Sequence, residues 1–178
     1  MTAGRAMAGR VQVYTGDGKG KTTASVGLAV RAAGAGLRVA FVQFVKGGRR
    51  SSELAALEQL GVRVERPAER STGLLGAGVT DDDRAAADDA MHIARAVVGS
   101  GEYDLVVLDE ANIAVRSGLV EEFALCVLID TRPATVELVL TGRGASPAII
   151  ERADLVTEMV PVKHPYDSGL PARLGIEY

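Results

Sequence analysis

Short apolar runs rich in β-branched residues alternate along this chain with segments whose apolar positions recur every three or four residues. "VQVYT" (Val11–Thr15) reads as a strand. Val26, Ala29, Val30 and Ala33 then fall on one helical face, and Gly34 and Gly36 can stop that helix. "RVAFVQFV" (Arg38–Val45) is the next strand, "SELAALEQL" (Ser52–Leu60) a helix ended by Gly61, and "VRVE" (Val62–Glu65) a short strand. Residues Arg66–Val79 carry a proline and glycines and read as a loop. Thr80 is placed to cap the following helix, whose positive N-terminal end suits Asp81–Asp83. Ala87, Ala90, Met91, Ala94, Val97 and Val98 form its apolar stripe. The strand "DLVVLDE" (Asp104–Glu110), a helix near Glu121–Ile129 and the strand "TVELVLTG" (Thr135–Gly142) come next. A helix near Pro147–Ala153, a short strand "LVTEMV" (Leu155–Val160) and a proline-bearing tail complete the pattern.

Strands this continuously apolar are expected where both faces of a sheet are covered. Their alternation with helices predicts an α/β fold, a mostly parallel sheet between two helical layers. Right-handed crossovers then gather the loops that follow the strands along one edge, where open α/β sheets bind ligands. Neither an internal repeat nor a second domain is visible, so residues 1–178 are expected to form one domain.

Composition narrows the function classes. Of 178 residues, 47% are hydrophobic and 24% charged, which suits a soluble globular chain. The net charge of −3 comes without a basic block, so nucleic acid is not an expected partner. No stretch reaches the roughly 20 apolar residues of a membrane span, and "MTAGRAMAGR" lacks the apolar run of a signal peptide. A cytoplasmic protein with no membrane contact is therefore expected. Cys126 is the only cysteine, which excludes an internal disulfide and a cysteine-based zinc site and leaves a buried, inert thiol. Aromatics make up 4% and tryptophan is absent, so Ala, Val, Leu and Ile must build the core.

Candidate chemistry begins between the first strand and first helix, in "YTGDGKGKTT" (Tyr14–Thr23). Gly16, Gly18 and Gly20 allow a turn whose N–H groups face phosphate oxygens, and the helix N-terminus adds its positive end. Asp17, Thr23 and Lys19 belong to the same loop; Lys21 can neutralise phosphate charge and the Thr22 hydroxyl can reach Mg2+. The spacing departs from a standard phosphate loop, which has glycine five positions before Gly20; here that position is Thr15. "LVVLDE" sets Asp109 and Glu110 at the ligand edge, with Glu110 the preferred Mg2+ carboxylate and Asp109 the second. "TGRG" (Thr141–Gly144) reaches the same edge, where Arg143 either meets phosphate or supports the rim. His92, mid-helix beside the apolar stripe, reads as structural; His164, in a loop, either lies at the surface or borders the site. No Gly-x-Ser-x-Gly elbow, nucleophilic triad or His/Cys cluster is present, and without the Asn-Lys-x-Asp segment of GTPases the nucleotide is read as ATP. From the residues alone, an ordinary P-loop ATPase or kinase transferring the γ-phosphoryl group and a non-catalytic nucleotide-binding module both remain open.

Four segments in order, "TGDGKGKTTASVGLAVRAAGAGLRVAFVQFVKG", "LVVLDEANIAVRSGL", "LVLTGRGASPAIIERADLVTEM" and "VKHPYDSGLPARLGIEY", resemble the P-loop class of ATP:corrinoid adenosyltransferases. The resemblance implies a RecA-like three-layer αβα fold, with ATP and a corrinoid such as cobyrinic acid diamide or cobinamide as substrates. It implies that cobalt, reduced to Co(I), attacks the 5′ carbon of ATP and triphosphate leaves, ATP lying in the loop in reversed sense. A homodimer and a flavoprotein electron donor are implied as well. On that reading the loop N–H groups, Lys21, Lys19 and Mg2+ held by Thr22 and Glu110 stabilise the leaving triphosphate. "RPAERSTGLLGAGVTDDD" carries no aromatic residue where many members have them, so Leu74, Leu75 and Val79, with His164 from the tail, are the expected corrinoid surface. A non-catalytic ATP and corrinoid binder is the remaining alternative.

Overall fold

A computed structural model describes residues 8–45, 52–67, 78–165 and 169–177. Its elements are β1 (Val11–Thr15), α1 (Lys21–Gly34), β2 (Val39–Gln43), α2 (Ser52–Gln59), β3 (Arg63–Glu65) and α3 (Asp81–Gly99). They continue as β4 (Leu105–Asp109), α4 (Ala111–Arg116), α5 (Glu122–Thr131), β5 (Glu137–Thr141), α6 (Pro147–Glu151) and β6 (Leu155–Glu158). The six strands form one sheet in the order β3-β2-β4-β5-β1-β6, and every pairing is parallel. The strands match the apolar runs, each trimmed at one or both ends except Val11–Thr15. Only α4 has no counterpart in the sequence pattern.

Alternation along the strands explains the layers. Val106 and Leu108 of β4, Leu138 and Leu140 of β5, and Ala40 and Val42 of β2 face a core filled by Ala87, Ala90 and Ala94 of α3 and Leu125 of α5. Their neighbours Leu105, Val107, Val139, Val39 and Phe41 face the opposite side, where Ala29 and Ala32 of α1 and Leu54 and Leu57 of α2 cover them. The sheet is thus buried on both faces by small and branched side chains, as the composition requires. β6 differs: all four of its residues are exposed, as suits an edge strand.

Ion pairs fix the edge of the sheet where the strands begin. Asp104 accepts hydrogen bonds from the Arg38 backbone N–H at 2.8 Å and from its guanidinium at 3.0 and 3.2 Å, joining the starts of β2 and β4. Asp154 accepts from the Val11 N–H at 2.8 Å and from Arg10 at 3.0 Å, which sets β6 beside β1. At the other end of the molecule Thr80 caps α3: its hydroxyl accepts from the Asp83 N–H at 3.1 Å, while Asp83 accepts from the Thr80 N–H at 2.9 Å. No helix among the described residues is long and apolar enough to cross a membrane.

Candidate active site

The centre of the sheet, β4-β5-β1, delivers three loops to one edge. After β1 the chain turns at Gly16, with φ 90, and a Cβ there would stand 2.5 Å from the Met159 carbonyl oxygen. A Cβ on Gly18 would come within 2.7 Å of the same oxygen, and the Gly18 N–H donates to it at 2.7 Å. The phosphate loop is therefore seated on the chain just past β6. This accounts for the shifted glycine. Thr15 is still a strand residue, paired with Glu158 and 8% exposed, and its Oγ1 accepts from the Ala145 N–H at 3.1 Å. The hydroxyl ties β1 to the loop after β5, and only at residue 16 does the backbone need the left-handed region.

α1 begins immediately after the loop with no side-chain cap, its N-cap being Gly20. Its first-turn N–H groups are thus left to an anion. Lys21 is 8% exposed, and its Nζ donates to the carbonyls of Gly16 at 2.7 Å and Gly18 at 2.6 Å. Burial, then the nearby Arg143 charge, lower its proton affinity; Glu110 and Asp17 act the other way. Lys19 turns outward to the tail: its Nζ donates to the Ile176 carbonyl and to the Glu177 carboxylate, both at 3.1 Å. Hydrogen bonds from Arg173, with a smaller contribution from Lys19, hold the Glu177 carboxyl at a pKa of about 2.

Loop, strand ends and tail enclose an open cavity of about 660 Å³, in the size range of small-molecule sites. Gly18 to Thr23 form one wall, Glu110, Ile113 and Arg143 the second, and His164, Ile176 and Glu177 the third. Glu110 is the only non-glycine described residue with positive φ, at 60. Thr22 and Glu110 thus line one cavity with the glycine-rich loop and the uncapped start of α1. Such hard oxygen donors, few in number, suit Mg2+, which takes one or two protein ligands and completes its shell with phosphate and water. No group of three His, Cys, Asp or Glu side chains suited to a metal occurs among the described residues.

The family model for ATP:corrinoid adenosyltransferases BtuR/CobO/CobP matches residues 7–178. The chain belongs to this family. A corrinoid adenosyltransferase of Pseudomonas aeruginosa is 39% identical over 176 residues, 96% of this chain and 84% of that protein. Its counterpart in Escherichia coli K12 is 36% identical, covering 96% and 86%. Corrinoid adenosyltransferase CobA of Salmonella typhimurium is 35% identical with the same coverage. Among solved structures, the cytoplasmic domain of EssC superposes with a TM-score of 0.52 at 16% identity over 96% of this chain; the chain spans 37% of that one, and the likeness is one of fold.

Within this adenosyltransferase, Gly18, Lys19, Gly20, Lys21, Thr22, Thr23, Glu110, Arg143 and His164 border the cavity. Gly16, Asp17 and Asp109 do not. Gly16 contributes its carbonyl to Lys21, and Asp17 is exposed but acts on the Lys21 charge. Asp109 has no exposure and both of its oxygens accept hydrogen bonds inside the protein. Val79 is half-buried against the core on the α3 side and is not part of the cavity wall. Leu74 and Leu75 lie outside the described residues. His92 is exposed, and Cys126 is a buried free thiol. Ile113, Ile176 and Glu177 are cavity residues that the pattern did not single out: the first rides on the unforeseen α4, and the other two depend on how the tail folds back.

Proposed function

We propose that this protein transfers the 5′-deoxyadenosyl group of ATP to the Co(I) centre of a corrinoid in cobalamin biosynthesis. The family match over residues 7–178 carries this reading, and the cavity that gathers the glycine-rich loop, Thr22 and the Glu110 carboxylate supports it. The cobalt–carbon bond forms with the electron pair of Co(I) as the 5′ carbon–oxygen bond breaks, and that bond's electrons leave with triphosphate. The protein then needs no nucleophile of its own; it must bind and neutralise a leaving group whose charge grows. Lys21, whose Nζ sits on the Gly16 and Gly18 carbonyls beside the cavity, would neutralise phosphate charge; Lys19 and the uncapped start of α1 supply further positive charge. Thr22 and Glu110 would hold Mg2+, which supplies charge neutralisation to the triphosphate when bound. Asp109 stands behind Glu110 rather than beside it in this scheme. His164 is the cavity-facing candidate for the corrinoid; Leu74 and Leu75, outside the described residues, are the proposed apolar surface, and Val79, packed against the core, is set aside. A flavoprotein as electron donor, a homodimer and a cytoplasmic setting belong to the same proposal.

The deciding experiment mixes ATP, Mg2+ and chemically reduced cobinamide under anaerobic conditions. A light-sensitive alkylcobalt spectrum with one triphosphate per turnover is expected. ADP with phosphate would instead mean γ-phosphoryl transfer and overturn the proposal. Lys21→Ala and Glu110→Ala should each lower turnover by about 100-fold or more while their melting curves stay cooperative.

A further inference from the structure

Glu110 holds a left-handed backbone conformation, φ 60 and ψ 20, that residues with a Cβ rarely adopt. A buried chain of hydrogen bonds accounts for it. The Glu110 N–H donates to Thr141 Oγ1 at 3.0 Å. The Thr141 hydroxyl donates to Asp109 Oδ1 at 2.7 Å, and Asp109 Oδ2 accepts from Gln43 Nε2 at 3.1 Å. Thr141, Asp109 and Gln43 each have 0% exposure, and they close the C-terminal ends of the adjacent strands β5, β4 and β2.

The direction of each bond is forced. A backbone N–H only donates, so the Thr141 oxygen accepts from Glu110 and its own single proton goes to Asp109 Oδ1. That turns an oxygen lone pair of Thr141 toward the Glu110 N–H. Gln43 fixes the other carboxylate oxygen and so the plane of Asp109. A glycine at 110 would take the same backbone conformation unaided, but it would bring no carboxylate to the cavity.

We propose that Thr141 is a positioning residue for adenosyl transfer: with Asp109 and Gln43 it locks Glu110 in the left-handed conformation that presents its carboxylate to the metal–triphosphate. This rests on the reading of Glu110 as the Mg2+ carboxylate. Loss of such outer partners typically weakens metal binding by ~10- to 100-fold.

Thr141→Val keeps the shape and removes both hydrogen bonds; Thr141→Ser keeps the hydroxyl. Mn2+ binding to the enzyme–ATP complex, followed by electron paramagnetic resonance, should weaken about tenfold in Thr141→Val and recover to within about twofold in Thr141→Ser. The Mg2+ concentration giving half-maximal turnover should rise in parallel, with the corrinoid KM unchanged. Unaltered Mn2+ affinity in Thr141→Val, whatever its melting temperature, overturns the inference. If Thr141→Val does not fold, Gln43→Met applies the same test through Asp109 alone, with the same outcomes. Glu110→Gln separates the two levels: full Mn2+ affinity there removes Glu110 from the metal site, whereas loss there beside wild-type affinity in Thr141→Val defeats only the positioning role.

Discussion

Gly16 and Gly27 both sit near the start of the chain, but a side chain meets very different surroundings at each. At Gly16 the backbone has φ 90, and the nearest atom to an added Cβ is the Met159 carbonyl oxygen at 2.5 Å. Gly16→Ala should destabilise by about 2 kcal/mol or more in chemical denaturation, from strain and collision together. Gly27, inside α1, has nothing within 4 Å of an added Cβ. Gly27→Ala should stabilise by about 0.5–1 kcal/mol in the same assay, and a loss there would mean α1 packs against something further. Lys19 is divided between a tail carboxylate and any phosphate that enters. Glu177→Gln should therefore lower the ATP KM by about two- to fivefold at low salt, the gap closing as ionic strength rises. The Glu177 pKa is depressed to about 2, so its charged contact is complete above the ordinary carboxylate range and is lost only as pH falls through about 2. An ATP KM that shifts between pH 4 and 6 would need another titrating group. The Gly-Lys-Thr run announced phosphate chemistry on its own; the reason for Thr15 was invisible because its partner, Ala145, is 130 residues away.

Among the elements, α3 was legible from both its stripe and its cap. Thr80→Ala should cost about 1 kcal/mol, measured by urea denaturation, since it removes the acceptor for the Asp83 N–H. α4 was not legible. It has six residues, too few to show a period, and it starts from the left-handed Glu110 with no capping side chain. β2 and β4 were read correctly as strands, but not the clasp between their first ends. Arg38 lowers the Asp104 pKa through its hydrogen bonds, chiefly those of its side chain. A depressed folded pKa means that the unfolded chain binds more protons, so the clasp stabilises fully above the usual carboxylate range and fades as pH falls through the folded value. Asp104→Asn should lower the melting temperature at pH 7 and differ little from wild type near pH 2. An equal loss at both would assign its effect to packing.

For the molecule as a whole, the sequence pattern shows strands and helical layers because burial on two faces leaves a continuous apolar run. Strand order leaves no such trace. That β1 lies between β5 and β6, with Val13 opposite Leu140 on one side and Val156 on the other, follows from crossover geometry and from pairs such as Asp154 with Val11. The same reason hid the network of Thr141, Asp109 and Gln43, whose members are buried polar groups from three strands that become neighbours only in the sheet. A chain ending after Asp154 should fail to bind ATP in equilibrium dialysis, because β6 and the Met159 seat of the phosphate loop would be missing; retained affinity would show that the loop stands on α1 and β1 alone.

The seat on Met159 also sets a timetable. The phosphate loop is made early, yet the partner that shapes it follows after a stretch of synthesis lasting on the order of ten seconds. Until β5 has been made β1 has neither neighbour, and Val11 and Val13 have no sheet to enter. The nascent chain must therefore carry an unpaired apolar strand until Glu137–Thr141 has been synthesised, and the seat of the loop is complete only once Met159 follows.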